Sequence, residues 1–399
     1  MLKKVKTGAL CSITIMICLV VVGSVTHLAH ADSPFVSVSE TGLVQNPNRS
    51  GIIRDGGASA QVGSKILWTF GDTLFNPASV DGVHARSNSA ALADPSSPFS
   101  VSEPLDANNA PYQFVPLPSG DVTYNTNSGA GDDRYAIWIN SVIPRPAQHD
   151  ALIYFLRLKI SPGNLNYNLL NTGIATVPEN STTATVVVPS LFSASGPLFS
   201  GLQFTHDGFT YLSSCTNAFN TQCALARVPL ANALTVGSYQ FWNGTMWQSD
   251  VAQRSTTLPG KPSGWSNALQ KYIMTYANSF SSDIYIRTAD NPVGPWSDAQ
   301  KIYTAPSNIY AVEYHSELEK TDPAGLVLTY YQASSANTQG LHTLRLSLPA
   351  TPQAAALPGA PNSGAKSNRL PIGLAIIGAA LLVGLITQRK RLHHHFTKK

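Results

Sequence analysis

Charge is scarce. Asp, Glu, Lys and Arg make up 12% of the 399 residues, against roughly 25% in an average soluble domain. That scarcity excludes a disordered acidic or basic tail protein and argues against a long surface helix or coiled coil. The formal charge of +4 belongs to the ends. Residues 1–31 and 350–399 hold no Asp or Glu, and 32–349 keep 16 basic against 22 acidic residues, a net of −6. This balance argues against nucleic acid as a partner. Also missing are a Gly-x-Ser-x-Gly elbow, a His-Glu-x-x-His helix and a phosphate-binding glycine loop, so nucleophilic-serine, metalloprotease and nucleotide chemistries lose support.

Cysteine is rare as well, with four in the chain. Cys11 and Cys18 fall in a leader: Lys3, Lys4 and Lys6, then the apolar run Ile13–Val22, then Ala29-His30-Ala31 at a cleavage site. This is the pattern of a secretory signal peptide over 1–31, with an uncleaved anchor as the alternative. Cys215 and Cys223, with seven residues between them, then remain in an oxidising compartment and are expected to form a structural disulfide.

At the other end, Leu370–Thr387 is an uncharged stretch of 18 residues followed by Gln388-Arg389-Lys390-Arg391. It is long enough for one transmembrane helix, and the positive-inside rule puts the tail 388–399 in the cytoplasm and the main domain outside. Residues 351–369, rich in Ala, Pro, Gly and Ser, make a tether. His393–His395 beside the basic tail reads as incidental rather than as a metal site.

What the chain does contain is glycine (29), proline (27), tyrosine (15) and phenylalanine (14), the makings of short strands joined by turns. Between 32 and 350 a strand reading apolar-apolar-Arg-apolar recurs around Arg157, Arg227, Arg287 and Arg345, at spacings of 70, 60 and 58, with Asn88–Leu92 as a first copy lacking its arginine. Aromatic strands precede them: Lys65–Phe70, Tyr135–Asn140, Phe209–Ser213, Lys271–Tyr276 and Leu326–Tyr331. Five all-strand copies of about 60 residues predict an all-β, five-bladed β-propeller ectodomain, with a pair of β-sandwiches as the runner-up.

The segment Arg54–Thr73 carries the chemistry. Gly63-Ser64 fits a two-residue type II′ hairpin loop, and in that register paired positions sum to 127, so Asp55 faces Asp72. Opposed residues lie roughly 4.5–5.5 Å apart at Cβ. Two carboxylates that close titrate as a coupled pair, which suits acid–base work on a sugar ring. The bland alternative is a turn-capping Asp72 and a solvated Asp55. A second segment, Tyr310–Leu318, places His315 and Glu317 two apart on one expected strand face, with Glu317 as candidate general acid and His315 orienting it. Arg54, Asn88, Trp138 and Trp265 are the candidates for substrate binding, the tryptophans by stacking on sugar faces; Trp242, Trp247 and Trp296 read as blade cores or turns.

On Arg54-Asp55-Gly56-Gly57-x-Ser59, Leu67–Thr73, Leu225–Val228, Thr288–Trp296 and His315–Leu318, the sequence resembles the family called domain of unknown function 4185, part of which is glycoside hydrolase family 183. The resemblance implies a five-bladed propeller that binds or cleaves a furanose-containing, arabinan-like polysaccharide, with Asp55 and Asp72 in the catalytic role. The family's His-Pro-Glu-Leu appears here with Ser316 in place of proline. The expected protein is a monomeric glycoside hydrolase at the outer cell surface, held in the membrane by its carboxyl-terminal helix. No metal and no cofactor is expected, with a cation in the propeller channel left open. The alternatives are a non-catalytic carbohydrate-binding protein on the same scaffold and a structural adhesin.

Overall fold

The computed structural model describes residues 35–349 except 129–131, 162–166, 200, 202, 216–221, 279–280, 322–323 and 334–338. The chain divides into two units, Met1–Thr351 and Pro352–Lys399, and every described residue lies in the first. The signal peptide, tether, transmembrane helix and basic tail read from the sequence therefore lie outside the described residues. Among the described residues no helix is long and apolar enough to cross a membrane.

Five antiparallel sheets of four or five strands account for nearly all the regular structure. Their first strands are Ala58–Val62, Arg134–Arg145, Phe204–His206, Gly264–Ser266 and Ile309–Tyr314. Each packs on the next, and the turn after the fifth returns to the first, so the sheets form a propeller-like ring. The fifth blade is completed from the far end of the chain: Ser37–Leu43 pairs antiparallel with Gly340–Ser347. Glu40 of that strand accepts from His342 Nδ1 at 2.6 Å, Tyr330 Oη at 3.0 Å and Tyr303 Oη at 3.2 Å. Burial works to raise the Glu40 carboxyl, but these bonds outweigh it and hold the group below the ordinary glutamate value. The ring closure is thus fastened by a charged side chain as well as by the ladder.

The recurring apolar strands are continuous rather than alternating because each sheet is covered on both faces. Ala224, Leu225, Ala226 and Val228 are all fully buried. The repeated arginines brace blades: Arg227 lies 4.4 Å over both Phe209 and Trp247, and Arg157 forms a two-armed pair with Asp121 at 2.6 Å per arm. Blade two is out of phase with the rest. Ser89–Asp94, Cys223–Pro229, Asp283–Ala289 and Gly340–Ser347 are third strands, whereas Arg157 lies on the second strand, Asp150–Ile160. The aromatic strand before it, Arg134–Arg145, is the inner one. The spacing of 70 after Arg157 marks this shift.

Cys215 and Cys223 face each other across the middle hairpin of blade three and form the expected disulfide. Trp242 and Trp247 pair at 5.5 Å in the same blade, and Trp296 packs on its core.

Candidate active site

Gly63 adopts φ +67°, and the hairpin it turns runs Val62↔Lys65 through Ala58↔Thr69. Beyond blade one the same two chain segments continue as Ile52–Arg54 and Thr73–Phe75, with Arg54↔Thr73, into a small three-stranded outcrop. Asp55 and Asp72 sit at the waist between blade and outcrop. The Asp55 amide donates to the Asp72 carbonyl at 2.9 Å, and the Gly71 amide donates to the Asp55 carbonyl at 2.7 Å. A Cβ on Gly71 would stand 3.0 Å from that carbonyl oxygen, so this close approach favours glycine.

The side chains around the waist come from three blades. Tyr310, at the start of the inner strand of blade five, donates its hydroxyl to Asp55 Oδ2 at 3.0 Å. Arg134, first in the inner strand of blade two, points Nη2 at Asp72 Oδ2 across 3.7 Å. Trp138, two pleats further along, has a buried Nε1 with no hydrogen bond of full geometry, yet it is near enough to Asp72 to favour its carboxylate. Glu313, in the inner strand of blade five, accepts from the Gly57 amide and is flanked by Asp55, Glu317 and Lys261.

Burial is the leading influence on all three acids. It pushes Asp55 up to about 7, with the charge of Asp72 adding to the rise and the Tyr310 bond opposing it. It pushes Glu313 up to about 8, assisted by the charges of Asp55 and Glu317. Asp72 is raised as well, restrained by Arg134 and Trp138. Lys261 is lowered by burial, which Glu313 partly offsets. Carboxyl groups that keep protons near neutrality while clustered at one end of an inner-strand ring can give and take protons from a bound substrate.

A cavity of about 400 Å³ runs along the inner strands, bounded among others by Ser59, Gln61, Asn140, Trp265, Glu313 and Glu317. Asp55 and Asp72 are outside this wall; Glu313 links the aspartate pair to it. His315 and Glu317 are brought together, but not on a strand. The strand ends at Tyr314, and Ser316–Leu318 form a single 3-10 turn. His315 is buried against Trp68, rings 4.8 Å apart, and lies 3.8 Å from Glu317, with Ser59 hydrogen-bonded to both.

Two expected substrate contacts are structural. Arg54 is 3% exposed, paired with the equally buried Glu103 and lying 5.0 Å over Phe70; its side chain turns into the blade because its strand neighbour, Asp55, takes the opposite face. Asn88 is fully buried, and its amide bonds Val115 and Ile137 carbonyls and the Phe114 and Val115 amides. It joins blades and has no atom left for a hydroxyl. Trp138 lies beside Asp72, its ring edge-on to Tyr167 at 5.1 Å. Trp265 shares the cavity wall with Glu317, and one of its faces is stacked on His206 at 4.1 Å. Among the described residues no trio of His, Cys, Asp or Glu is arranged to hold a metal ion.

Reading the sequence did not single out Tyr310, Glu313, Lys261 or Arg134. A signal existed for most of them. Arg134 and Tyr310 begin or nearly begin inner strands, and Lys261 comes just before one, as Asp55 does. Glu313 is two residues before His315 in a segment already marked.

Several solved structures resemble the chain at low identity. A Bacteroides ovatus protein named as a putative hydrolase superposes with TM-score 0.56 at 14% identity, over 79% of this chain and 96% of that one. An exo-β-1,3-galactanase from Phanerochaete chrysosporium gives TM-score 0.48 at 14% identity, over 78% of this chain, which spans only 64% of that one. The catalytic domain of a Coprinopsis cinerea GH62 α-L-arabinofuranosidase gives 0.44 at 12% identity, over 79% and 98%. At 14% identity the likeness to the Bacteroides protein concerns the fold alone. No functionally curated protein matches the sequence. The motifs quoted for domain of unknown function 4185 fall inside the stretch that a family model matches, but the matching family carries another number. That model is domain of unknown function 5005, over residues 53–338, and the chain belongs to this family.

Proposed function

We propose that the protein is a glycoside hydrolase that cleaves a furanose-containing, arabinan-like polysaccharide at the outer face of the membrane, using Asp55, Asp72 and Glu313. One observation carries the reading: Asp55 and Glu313 crowd together beside Asp72 and hold protons up to about 7 and about 8. Like charges so placed destabilise a fold, and groups of this kind concentrate where proton transfer is needed. Glu313, the one that keeps its proton longest, donates it to the glycosidic oxygen as the carbon–oxygen bond breaks. Asp55 takes a proton from the incoming water, and Asp72, near Arg134 and Trp138, supports the positive charge that develops on the sugar. The Bacteroides protein of similar fold is itself named a putative hydrolase. The furanose preference rests on the motif resemblance, and the membrane location on the leader and the apolar stretch at the carboxyl end.

Incubation of the purified protein with arabinan, arabinogalactan and, as a pyranose control, galactan, followed by assay of reducing ends, tests this reading. Release from the arabinose-containing polymers is expected, with Glu313→Gln slower by about 10²–10⁴-fold, the usual weight of one acid–base group. Saturable binding without any release, in wild type and variant alike, would instead establish a carbohydrate-binding protein.

A further inference from the structure

Ser59, His315, Thr329 and Glu317 form a chain of hydrogen bonds across the seam where blade five meets blade one. The His315 ring is 1% exposed, and its Nε2 lies 2.8 Å from Thr329 Oγ1 while its Nδ1 lies 2.6 Å from Ser59 Oγ. Ser59 Oγ in turn donates to Glu317 Oε1. The directions follow from counting protons. Ser59 has one hydroxyl proton, and it goes to Glu317. Ser59 must then accept from His315, which puts a proton on Nδ1. On the other side of the ring, Nε2 is hydrogen-bonded to the Thr329 hydroxyl, which can donate or accept. The chain therefore runs from His315 through Ser59 to Glu317 and ties that side chain to the seam between the blades.

Glu317 borders the same cavity as Glu313. The groups facing Glu313 are Asp55 from the hairpin waist, Glu317 from the 3-10 turn, Lys261 from the segment before the inner strand of blade four, and the Gly57 amide. We infer that Glu317 is a positioning residue rather than the proton donor: the Thr329–His315–Ser59 chain holds its carboxyl group on the cavity wall that it shares with Glu313, the donor. There it adds to the larger influences of burial and Asp55 on Glu313. Sequence order makes this economical, since Glu313, His315 and Glu317 all belong to one short segment, and only Ser59 and Thr329 come from elsewhere. The inference builds on the hydrolase reading by giving Glu317 a task within the same site, yet it concerns an ionisation that exists without substrate.

Infrared titration of the purified protein carrying carbon-13-labelled glutamate tests it, with the Glu313 band identified by its loss in Glu313→Gln. In the wild type the protonated band should persist to about 8. Glu317→Gln should lower that midpoint by about one pH unit, the scale on which a near like charge acts. Thr329→Val, at a fully buried position, removes only the far partner of His315 and should shift it the same way by less. Unchanged midpoints in both variants, with thermal stability reduced, would make the chain a purely structural strut and overturn the inference. A shifted midpoint in a protein that cleaves no glycan would leave the inference standing and remove the hydrolase reading; cleavage with an unmoved midpoint would do the reverse.

Discussion

Replacing Asp55 by Asn should slow glycan cleavage by about 10²–10⁴-fold, the loss expected for a proton-accepting group, while making the fold more heat-resistant above neutral pH. Both effects come from one cause. In the folded protein, burial and the charge of Asp72 keep Asp55 protonated up to about 7, whereas an unfolded aspartate ionises near 4. Between those values the native state binds the extra proton, so stability falls as pH rises through the interval. Above about 7 the whole penalty is present, because a charge must then be kept in a place that disfavours it. Asparagine has the same shape and no charge. Calorimetry at pH 8 should therefore give Asp55→Asn a higher Tm than the wild type, and at pH 4 the difference should vanish. A structural aspartate would behave oppositely, with full turnover and a lower Tm at pH 8.

The second large effect is expected at Arg54, next door in sequence. Arg54 and Glu103 are 3% and 2% exposed at their side chains. Burial drives Arg54 down and Glu103 up, and their mutual attraction offsets this only in part. Removing one member leaves the other charge buried and uncompensated, which typically costs about 3–5 kcal/mol, while replacing both by neutral groups is often close to harmless. Arg54→Met, which keeps apolar contact with Phe70, should thus lower unfolding free energy by about that amount, and adding Glu103→Gln should recover most of it. A residue that binds substrate would give another result: normal stability and a raised KM. Chemical denaturation of the two variants separates these outcomes.

The sequence makes the aspartate pair legible because a hairpin register is a local property. A glycine able to take positive φ at Gly63 and a count of residues on either side suffice to set Asp55 opposite Asp72. The five-sheet ring is legible for a similar reason, since strands covered on both faces repeat as unbroken apolar runs. Blade two hides its phase because its inner strand is long and aromatic, like the second strands elsewhere. Long-range packing decides the remainder. Nothing local to Arg54 tells that Glu103 waits inside the blade, nor that Asn88 spends every polar atom on neighbouring backbone. Glu313 becomes prominent only when Asp55 and Lys261, from distant parts of the chain, converge on it beside its near neighbour Glu317. His315 and Glu317 do meet, but through a turn that replaces the expected strand.

The central claim, that Asp55 and Glu313 share out the proton transfers, is tested most directly by the pH dependence of kcat/KM for glycan cleavage. Asp55 must be ionised to accept a proton, so the rate should climb as pH passes about 7; Glu313 must be protonated to donate, so it should decline above about 8. The predicted profile is a narrow bell with its maximum between those values, and it should lose its alkaline limb in Glu313→Gln. A wild-type profile flat from mildly acid to mildly alkaline pH, or a Glu313→Gln profile with the same alkaline limb, would contradict the account.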